Sequence, residues 1–322
     1  MSAATTCIAG TAYALPATSR SVRELAAAGQ LQSSAELLET FGFGQVHVAT
    51  AETPFALALQ AAEALLTERG VERDRVDLLL WAGTPAVAYA AGGAAADAPS
   101  ALGTTRRFHY PAMRLQYELG LERADVLALD QLACSTLFGA MRVAKALCES
   151  EGLDRVLCVS SEFFPGAAGR EAIFNCTTDA ACAVLVERGG TAGRMVATGQ
   201  ASKGYYWDCD ARRDEIVASY FPTARHVVAD TLRRAGWQPG DVTWVIPHNV
   251  SLRSWEILLG LTGIPRDRLW SRNIARHGHS LAGDNFINLR DATDAGDIRP
   301  GDKLLLFSYG YGAHWHALAV EA

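Results

Sequence analysis

Four side chains of this sequence have the types needed for nucleophilic attack on a carbonyl carbon: Cys134, His248, His279 and Asp284. A cysteine thiolate is a strong nucleophile, and an imidazole can take up and return the proton that such a reaction moves. Asp284 follows His279 by five residues, and a carboxylate that accepts one ring N–H leaves the other ring nitrogen free as a base. The sequence therefore predicts a catalytic set with Cys134 as the nucleophile.

Cys134 lies where an apolar run gives way to an amphipathic helix. Residues 126–129 have the continuous apolar character of a buried strand, and Leu137, Met141 and Ala144 recur at helical spacing. We expect the thiol in the first turn of that helix, where unpaired amide groups and the helix dipole favour a thiolate. The alternative is an inert core residue, because free cysteines are among the most buried residues.

The histidines are distinguished by their surroundings. His248 follows a predicted strand and has Asn249 beside it, whereas His277 and His279 share the turn-rich segment RHGHSLAGDNF with Asp284. Each histidine alone would also fit a surface position or a satisfied core position. A metal site of His277, His279 and Asp284 is a further alternative, but nothing nearby completes its coordination shell, and we predict no metal.

A glycine-rich segment near the C-terminal end of the sequence supplies backbone donors. Gly310 and Gly312 flank Tyr311 directly after the apolar run KLLLFS. Glycine-bearing turns commonly direct backbone N–H groups at a developing oxyanion, so the N–H groups of Cys134 and Tyr311 are predicted to form an oxyanion hole. A turn between two edge strands of a sheet is the open alternative.

Strand-like runs alternate with helical runs along the chain, which is typical of a layered α/β protein. CIAGTAYAL, VDLLLWAGT, VLALD and DRVLCVSSE read as strands in the first half, and MVATGQAS and VTWVIPHN in the second, where YFPTARHVVADTLRRAG reads as a helix. The second half repeats the rhythm of the first, so we predict two domains, residues 1–186 and 187–322. Sheets of this kind bind ligands beyond the carboxyl ends of their strands. Cys134 and His248 should therefore face each other across the halves, with residues 95–103 as a loop at the entrance.

The composition is that of a globular enzyme. The 322 residues are 49% hydrophobic and 20% charged, and the net charge of −6 gives no general attraction to nucleic acid or to an anionic membrane. We find neither a leader pattern nor an apolar run of about 18 residues, so we expect a cytoplasmic protein without a membrane span. The seven cysteines contain no CxxC pair, which argues for reduced thiols rather than disulfides or a zinc site.

Five ordered motifs resemble the β-ketoacyl-acyl-carrier-protein synthase III (KAS III) group of the thiolase fold. They are ALDQLACSTLFGA, TTDAACAVLV, VIPHNVSLR, RHGHSLAG and IRPGDKLLLFSYGYGAHWHALAV. The resemblance covers nearly the whole chain and implies an α/β protein of two similar βαβαβ-type halves, stacked as a five-layered α-β-α-β-α sandwich. It also implies that Cys134 accepts the acyl group, that His248 is the first active-site histidine, and that Arg253 steers acidic carrier proteins. We group Asn249 with Arg253 as a substrate- or carrier-binding residue.

One departure from the family pattern bears on the reaction. A typical synthase III has HGN where this chain has HGH, so His279 replaces the asparagine that helps to polarise a malonyl carbonyl. A histidine followed five positions later by aspartate resembles the KAS III-like acyltransferases of secondary metabolism. The elongating ketosynthases offer a second likeness, because their GHSLGAAG-like motif resembles GHSLAG and permits condensation.

We therefore predict an acyltransferase. It takes an acyl group from acyl-CoA or acyl carrier protein onto Cys134 and passes it to a hydroxyl, an amine or a carrier thiol in polyketide-type secondary metabolism. Its acceptor is a small molecule or a carrier protein, and it needs no cofactor beyond the thioester substrate. Decarboxylative condensation with malonyl carrier protein is the first alternative, and a non-catalytic partner subunit is the second. By the same resemblance we expect a homodimer, joined through RVLCVSSEFF.

Overall fold

Strands and helices alternate through the computed structural model, which describes residues 5–83, 110–164 and 169–322. The predicted entrance loop, residues 95–103, lies outside the described residues. The strands are β1 (Thr6–Ala14), β2 (Ser19–Ser21), β3 (Gln45–His47), β4 (Leu78–Ala82), β5 (Asp125–Leu129), β6 (Arg155–Glu162), β7 (Glu171–Ala172), β8 (Asn175–Cys176), β9 (Ala180–Arg188), β10 (Arg194–Ser202), β11 (Trp244–Pro247), β12 (Lys303–Gly310) and β13 (His314–Glu321). The α-helices are α1 (Val22–Ala27), α2 (Ala35–Thr40), α3 (Pro54–Glu68), α4 (Pro111–Glu118), α5 (Thr136–Ser150), α6 (Arg213–Ala235), α7 (Leu252–Thr262), α8 (Arg272–His277) and α9 (Asp284–Asp294).

Nine of the strands form one sheet in the order β11-β12-β13-β10-β1-β9-β6-β4-β5. The first four belong to the second half of the chain and the last five to the first half. Among the described strands, the two sets are joined where β1 pairs with β10, at Cys7 and Arg194. The sheet is therefore two half-sheets with one point of contact, as expected if each half of the chain folds around its own strands.

Three buried hydrophobic clusters show how these half-sheets are stacked. In β4, Leu78 and Leu80 pack into a cluster with α5 and α9, and Leu79 packs into a different cluster with α3 and α4. In β12, Leu304 joins the α5 and α9 cluster, whereas Leu305 joins a third cluster with α6 and α7. Since neighbouring strand residues point to opposite faces, both half-sheets are covered on both sides. The layers run α3/α4, half-sheet, α5/α9, half-sheet, α6/α7, which is the predicted five-layered sandwich.

The two half-sheets repeat the same arrangement. In each, the first strand lies next to the last, so β1 neighbours β9 as β10 neighbours β13. The counterpart of β5 in the second half is reduced to a single parallel bridge between Val245 and Leu269. The predicted boundary at residues 186 and 187 stays a prediction, and the chain passes from β9 to β10 between Arg188 and Arg194.

Three expectations about individual elements are wrong. Strand β5 was expected to be buried, but it lies at the edge of the sheet with Leu127 48% exposed. The segment expected to join two subunits contains β6, which is an interior strand between β4 and β9. Helix α6 begins at Arg213 and includes Pro222, although the predicted helix began at residue 220. Apolar runs and helix-compatible residues do not by themselves reveal edges or starting points.

A buried ion pair joins Asp179, the residue just before strand β9, to Arg170, the residue just before β7. Asp179 accepts hydrogen bonds from both terminal nitrogens of Arg170, at 2.7 and 3.0 Å. Its oxygens also accept from the backbone N–H groups of Ala49 and Phe164, each at 2.8 Å. Both charged side chains are fully buried, so each depends on the other for its charge to be compensated.

Substitution of Asp179 by asparagine should therefore destabilise the fold. The change leaves the Arg170 guanidinium buried without a counter-charge, and losses of this kind are about 3–5 kcal/mol. Urea denaturation followed by circular dichroism measures the effect. As a control, Glu39→Gln breaks an ion pair with Arg23 whose side chains are 36% and 68% exposed, and it should leave the midpoint unchanged. Equal midpoints for the two variants would contradict the prediction.

Among the residues that the structure describes, none of the helices combines the length and the apolar character that crossing a bilayer requires.

Candidate active site

Cys134 lies in a tight 3₁₀ turn, Ala133–Ser135, between β5 and helix α5. The Leu132 carbonyl accepts hydrogen bonds from the backbone N–H and the hydroxyl of Ser135, at 3.1 and 2.8 Å. Ala133 has a φ of +46°, in the left-handed region that costs a non-glycine residue about 1–3 kcal/mol. The predicted junction of strand and helix is present, and its strained turn holds Cys134 in a half-buried position.

His279 connects Cys134 to Asp284. The Sγ atom of Cys134 lies 3.3 Å from Nε2 of His279, and Nδ1 of His279 lies 2.5 Å from Oδ2 of Asp284. His279 is 4% exposed and Asp284 is fully buried. Since a carboxylate accepts, Nδ1 of His279 is the donor, and Nε2 is the nitrogen that exchanges a proton with the thiol. The arrangement is the nucleophile, imidazole and carboxylate order of a catalytic triad.

The charges of this triad stabilise one another. Burial alone would lower the pKa of His279, but the charges of Asp284 and Cys134 outweigh it and raise that pKa well above its usual value. Burial alone would raise the pKa of Asp284, but His279, Ser280 and Asn249 hold it below its usual range. Asp284 therefore favours the protonated form of His279, which is the form needed to compensate a thiolate on Cys134. This coupling suits the group to proton transfer.

His248 lies beside the triad but outside it. Its ring centroid is 6.2 Å from that of His279, and its Nδ1 is 3.2 Å from the carbonyl oxygen of Phe307. A carbonyl oxygen can only accept, so Nδ1 carries the proton and Nε2 keeps a lone pair. Burial and the neighbouring His279 lower the pKa of His248 to about 3. His248 is thus a neutral imidazole whose Nε2 accepts hydrogen bonds and does not donate them.

Asn249, predicted to bind the substrate or its carrier, is buried behind the triad instead. Its backbone N–H donates to Oδ2 of Asp284 at 2.6 Å, its Nδ2 donates to the Gly278 carbonyl at 2.8 Å, and its Oδ1 accepts from Asn288 at 2.8 Å. Because its polar groups pair with protein atoms, Asn249 holds Asp284 in position and does not reach a ligand. The predicted role is corrected on this point.

His277 belongs to a different network from His279. Its Nδ1 lies 3.2 Å from Nε2 of His47, and its Nε2 lies 3.3 Å from Oδ2 of Asp291. Gly278 separates the two histidines with a φ of +70°, and a Cβ there would lie 2.8 Å from Val46. Residues two apart in a strand would point to the same face. The turn at Gly278 instead directs the side chains of His277 and His279 away from each other. The alternative metal site of His277, His279 and Asp284 is therefore wrong.

The segment with Tyr311 packs against the turn that contains the nucleophile. Ser308 Oγ donates to the carbonyl of Cys134 at 2.9 Å. A Cβ at Gly310 would lie 1.9 Å from the Leu132 carbonyl oxygen and 2.8 Å from Oγ of Ser135, so only glycine fits this approach. The edge-strand alternative is wrong, since β12 and β13 are interior strands. The oxyanion hole formed by the N–H groups of Cys134 and Tyr311 stays a prediction.

Substitution of Gly310 by alanine should disturb this contact. The added methyl group displaces the Cys134 turn, at a cost of about 1–3 kcal/mol or more, and it should slow alkylation of Cys134 by iodoacetamide. The matched control is Gly260→Ala in α7, where a Cβ has nothing within 4 Å and should stabilise the helix by up to about 1 kcal/mol. Thermal melting and the alkylation rate measure both effects, and an unchanged alkylation rate in Gly310→Ala would argue against the close contact.

Two family models match the chain. The model of the 3-oxoacyl-[acyl-carrier-protein (ACP)] synthase III C terminal matches residues 232–322, and the model of 3-oxoacyl-[acyl-carrier-protein (ACP)] synthase III matches residues 130–204. Together they cover just over half of the chain and include every member of the triad. The chain belongs to the 3-oxoacyl-ACP synthase III family. Members of this family transfer or condense acyl groups carried by acyl-CoA and acyl carrier protein.

Relatives and solved structures extend this result. The β-ketoacyl-ACP synthase III of Aquifex aeolicus is 27% identical over 292 residues, which are 87% of this chain and 88% of the relative. The crystal structure of the synthase III from that organism matches with a TM-score of 0.81, and the match covers 98% of this chain and 100% of the crystallised chain. ChlB3, described as an acyltransferase, has a TM-score of 0.82 at 21% identity and covers 99% of this chain and 98% of its own. The structural likenesses establish the thiolase fold of synthase III proteins.

Several positioning residues of this synthase III site were not predicted from the sequence. Asn285 donates to the carbonyls of Ile246 and Phe307, at 2.8 and 2.9 Å, and so joins β11 to β12. Asn288 donates to the Pro247 carbonyl at 2.8 Å. Ser280 donates its N–H and its hydroxyl to Oδ1 of Asp284. A signal was present, since polar residues 284, 285 and 288 occupy the buried face of a helix start.

Arg253 follows His248 by five residues and lies in the first turn of α7. Its side chain is 67% exposed and pairs with Glu256 at 2.8 Å. It is not in contact with the triad among the described contacts, so any role in carrier recognition is exercised at the protein surface. An exposed arginine next to a buried synthase III site can contact a charged partner outside the cleft.

Proposed function

We propose that this synthase III-like protein is an acyltransferase of secondary metabolism that uses Cys134, His279 and Asp284 as a triad. It takes an acyl group from an acyl-CoA or acyl carrier protein and passes it to a hydroxyl, an amine or a carrier thiol. The observation that carries the proposal is the continuous line from Asp284 through His279 to the sulfur of Cys134, with 2.5 and 3.3 Å separations. This line supplies a base for an incoming acceptor without a second carboxylate or a metal.

In the first half-reaction, the sulfur of Cys134 attacks the carbonyl carbon of the donor thioester. Its proton passes to Nε2 of His279 if the sulfur still holds it, and the carbonyl oxygen becomes an oxyanion. The bond between that carbon and the donor sulfur then breaks, and the leaving sulfur takes the proton from His279. The products are a free donor thiol and an acyl group on Cys134. Asp284 compensates the imidazolium throughout and does not itself take the proton.

Acylation prepares His279 for the second half-reaction. Part of the rise in the pKa of His279 comes from the charge of Cys134 and the hydrogen bond to it, and a thioester sulfur provides neither. His279 is therefore neutral once the leaving thiol has taken its proton, and Nε2 can accept the proton of the acceptor. The acceptor atom attacks the acyl carbon, the bond to Cys134 breaks, and the proton returns from His279 to the sulfur. General-base catalysis of this kind raises the reaction rate by about 10²–10⁴-fold.

Decarboxylative condensation is the second candidate, because the curated relative from Aquifex aeolicus is named β-ketoacyl-ACP synthase III. That reaction needs two donors for the carbonyl of a malonyl thioester. His248 does not fit this need as its ring stands, since Nδ1 donates to Phe307 and Nε2 bears a lone pair. Nε2 of His279 is directed at Cys134. These orientations support acyl transfer over condensation.

A loading and product assay tests the proposal. The protein is incubated with acyl-CoA, and intact-protein mass spectrometry is expected to show one added acyl group in the wild type and none in Cys134→Ala. Cys209→Ser is the matched control, because Cys209 is the other half-buried cysteine and its loss should leave the label in place. The loaded enzyme is then offered a hydroxyl, amine or thiol acceptor, or malonyl carrier protein. Release of carbon dioxide would favour condensation, and no labelling by any donor would favour a non-catalytic partner subunit.

We further propose that the partners of this protein are its acyl donor, acyl-CoA or acyl carrier protein, and its acceptor, a small molecule or a carrier protein. We also propose that it works in the cytoplasm without a resident cofactor or metal. The acyl thioester brings all the chemistry that the triad requires. All seven cysteines are free, which supports a reducing compartment. The exposed side chain of Arg253 supports docking of an acidic carrier protein, and the net charge of −6 gives no general attraction to nucleic acid.

We propose a homodimer that forms through β5 rather than through β6. Among the described strands β5 pairs only with β4, so its outer edge has free backbone groups, and Leu127 on it is 48% exposed. Two β5 strands related by a two-fold axis can pair with each other and extend the sheet. Light scattering should show a dimer that Leu127→Lys weakens, whereas Leu37→Lys, at a residue 39% exposed in α2, should not. A monomeric wild type would overturn this proposal.

A further inference from the structure

The imidazole rings of His248 and His279 lie next to each other at the nucleophile. Nε2 of His279 is 3.3 Å from the sulfur of Cys134. The centroid of the His248 ring is 6.2 Å from that of His279, and the two ring planes are inclined at 67°. This separation is about twice the length of one hydrogen bond, so a small group between the rings is within reach of both.

Nε2 of His248 is an acceptor without a protein donor. Nδ1 donates to the Phe307 carbonyl at 3.2 Å, so Nε2 has the lone pair. Within the described part of the chain no group donates to this nitrogen, and it is not one of the enclosed polar atoms that lack a partner, so a small molecule can reach it. Burial also keeps the ring neutral, since it lowers the pKa of His248 to about 3.

The loaded enzyme therefore presents two acceptor nitrogens to the attacking group. His279 is neutral once Cys134 carries the acyl group, and its Nε2 then accepts a proton as the second half-reaction requires. Nε2 of His248 accepts beside it. A hydroxyl or a thiol has one hydrogen and can satisfy only one of these nitrogens, whereas a primary amine has two. An unsatisfied acceptor in a buried site lowers the affinity for a ligand.

We infer that the acceptor is a primary amine, that the product is an amide, and that His248 binds the second N–H of the amine. This inference rests on the acyl transfer proposed above. The amine nitrogen attacks the acyl carbon, and one of its protons passes to Nε2 of His279. The bond from that carbon to the sulfur of Cys134 breaks, and the sulfur takes this proton. The second hydrogen stays on nitrogen, bonded to His248, and becomes the amide N–H.

The buried site also favours the reactive form of such an acceptor. An amine attacks only as the neutral base, and burial disfavours the ammonium form. The neutral His248 ring can hold an N–H group without adding a positive charge beside it. A neutral primary amine therefore suits both rings.

Three acceptors of one scaffold test the inference on the wild-type enzyme. Benzylamine has two N–H hydrogens, N-methylbenzylamine has one, and benzyl alcohol has a single O–H. The kcat/KM of each is divided by its rate of reaction with the same acyl-CoA in buffer, so that intrinsic reactivity cancels. This ratio should be about 10-fold higher for benzylamine than for the other two, which corresponds to one hydrogen bond. Equal ratios, or hydrolysis of the acyl-enzyme that outruns its reaction with benzylamine, would overturn the inference, because water also has two hydrogens.

His248→Phe separates hydrogen bonding from steric exclusion of the N-methyl group. The variant keeps an aromatic ring without the acceptor nitrogen, and the Phe307 carbonyl still accepts from Asn285 at 2.9 Å. Loading of Cys134 should stay within a few-fold of wild type, and the preference for benzylamine over N-methylbenzylamine should disappear. A preference that survives in His248→Phe would overturn the inference. If this variant does not fold, the three wild-type ratios decide alone.

His47→Phe is the matched control. The ring nitrogens of His47 have protein partners, the Pro16 carbonyl at 3.0 Å and His277 at 3.2 Å. Their loss should lower the melting temperature and leave the preference for benzylamine unchanged. Absence of loading in the wild type would overturn the proposed function together with this inference, whereas normal loading without a preference for the primary amine overturns this inference alone.

Discussion

Replacement of His279 by asparagine is expected to lower the rate of acyl transfer by about 10³-fold or more. An asparagine side chain keeps an amide near the sulfur of Cys134, but it has no nitrogen that can take up the proton of an acceptor. The variant also recreates the HGN pattern, so it separates the two candidate reactions. Single-turnover transfer from loaded enzyme to an acceptor measures the rate, and carbon dioxide release from malonyl carrier protein measures condensation.

The single variant also removes the cation that Asp284 faces. A buried carboxylate without its partner is expected to cost about 3–5 kcal/mol, so lost activity could reflect lost fold. The double variant His279→Asn with Asp284→Asn removes both charges and should recover most of that stability. The transfer rate of the double variant should be the same as that of the single variant within a few-fold, since the two residues act as one unit. Transfer within 10-fold of wild type in either variant would remove His279 from the mechanism.

The sequence predicted the local part of this site well. The change from an apolar run to helical spacing located Cys134 at a helix start, and the five-residue interval located Asp284 next to the His279 ring. Both results depend on residues close together in the chain. Local patterns of this kind follow from strand and helix geometry alone.

The sequence did not predict the position of both histidines. His279, oriented by Asp284, was expected to act with the nucleophile, and its Nε2 does contact the sulfur, whereas His248 was expected to face Cys134 and donates to Phe307 instead. The position of His248 depends on how the two half-sheets stack across α5 and α9, and no interval in the sequence encodes it. The same reason explains β5, because an apolar edge strand and an apolar central strand look alike until their neighbours are known.

Asn249 illustrates a related limit. A polar residue after a strand end was read as a ligand contact, yet its groups pair with Asp284, Gly278 and Asn288. A buried polar network and an open binding site use the same residue types. Only the position of their partners distinguishes them, and those partners lie about 30 to 40 residues further along the chain.

Substitution of Asp284 by asparagine should lower transfer by about 10²–10⁴-fold and affect loading of Cys134 less. The carboxylate both fixes the His279 tautomer and compensates the imidazolium, so an amide at the same place weakens the base that the second half-reaction needs. The pKa of His279 should also fall, because Asp284 is a main cause of its rise. The imidazolium is then lost at lower pH, and the part of the pH profile of Cys134 alkylation that reports His279 should move to lower pH.

Asp291→Asn is the control for this variant, since it makes the same change in the same helix. Asp291 pairs with His277 at 3.3 Å, and His277, Tyr13 and Asn273 hold its pKa below the usual range although burial opposes them. Because this stabilisation is present at pH values above the pKa of an unfolded aspartate, about 4, the variant should be less stable than wild type in that pH range. Transfer and the alkylation profile should stay as in wild type. If Asp284→Asn and Asp291→Asn behave alike, Asp284 acts only through the fold. If Asp284→Asn alone slows transfer and shifts the profile, the carboxylate acts through His279 on the reaction.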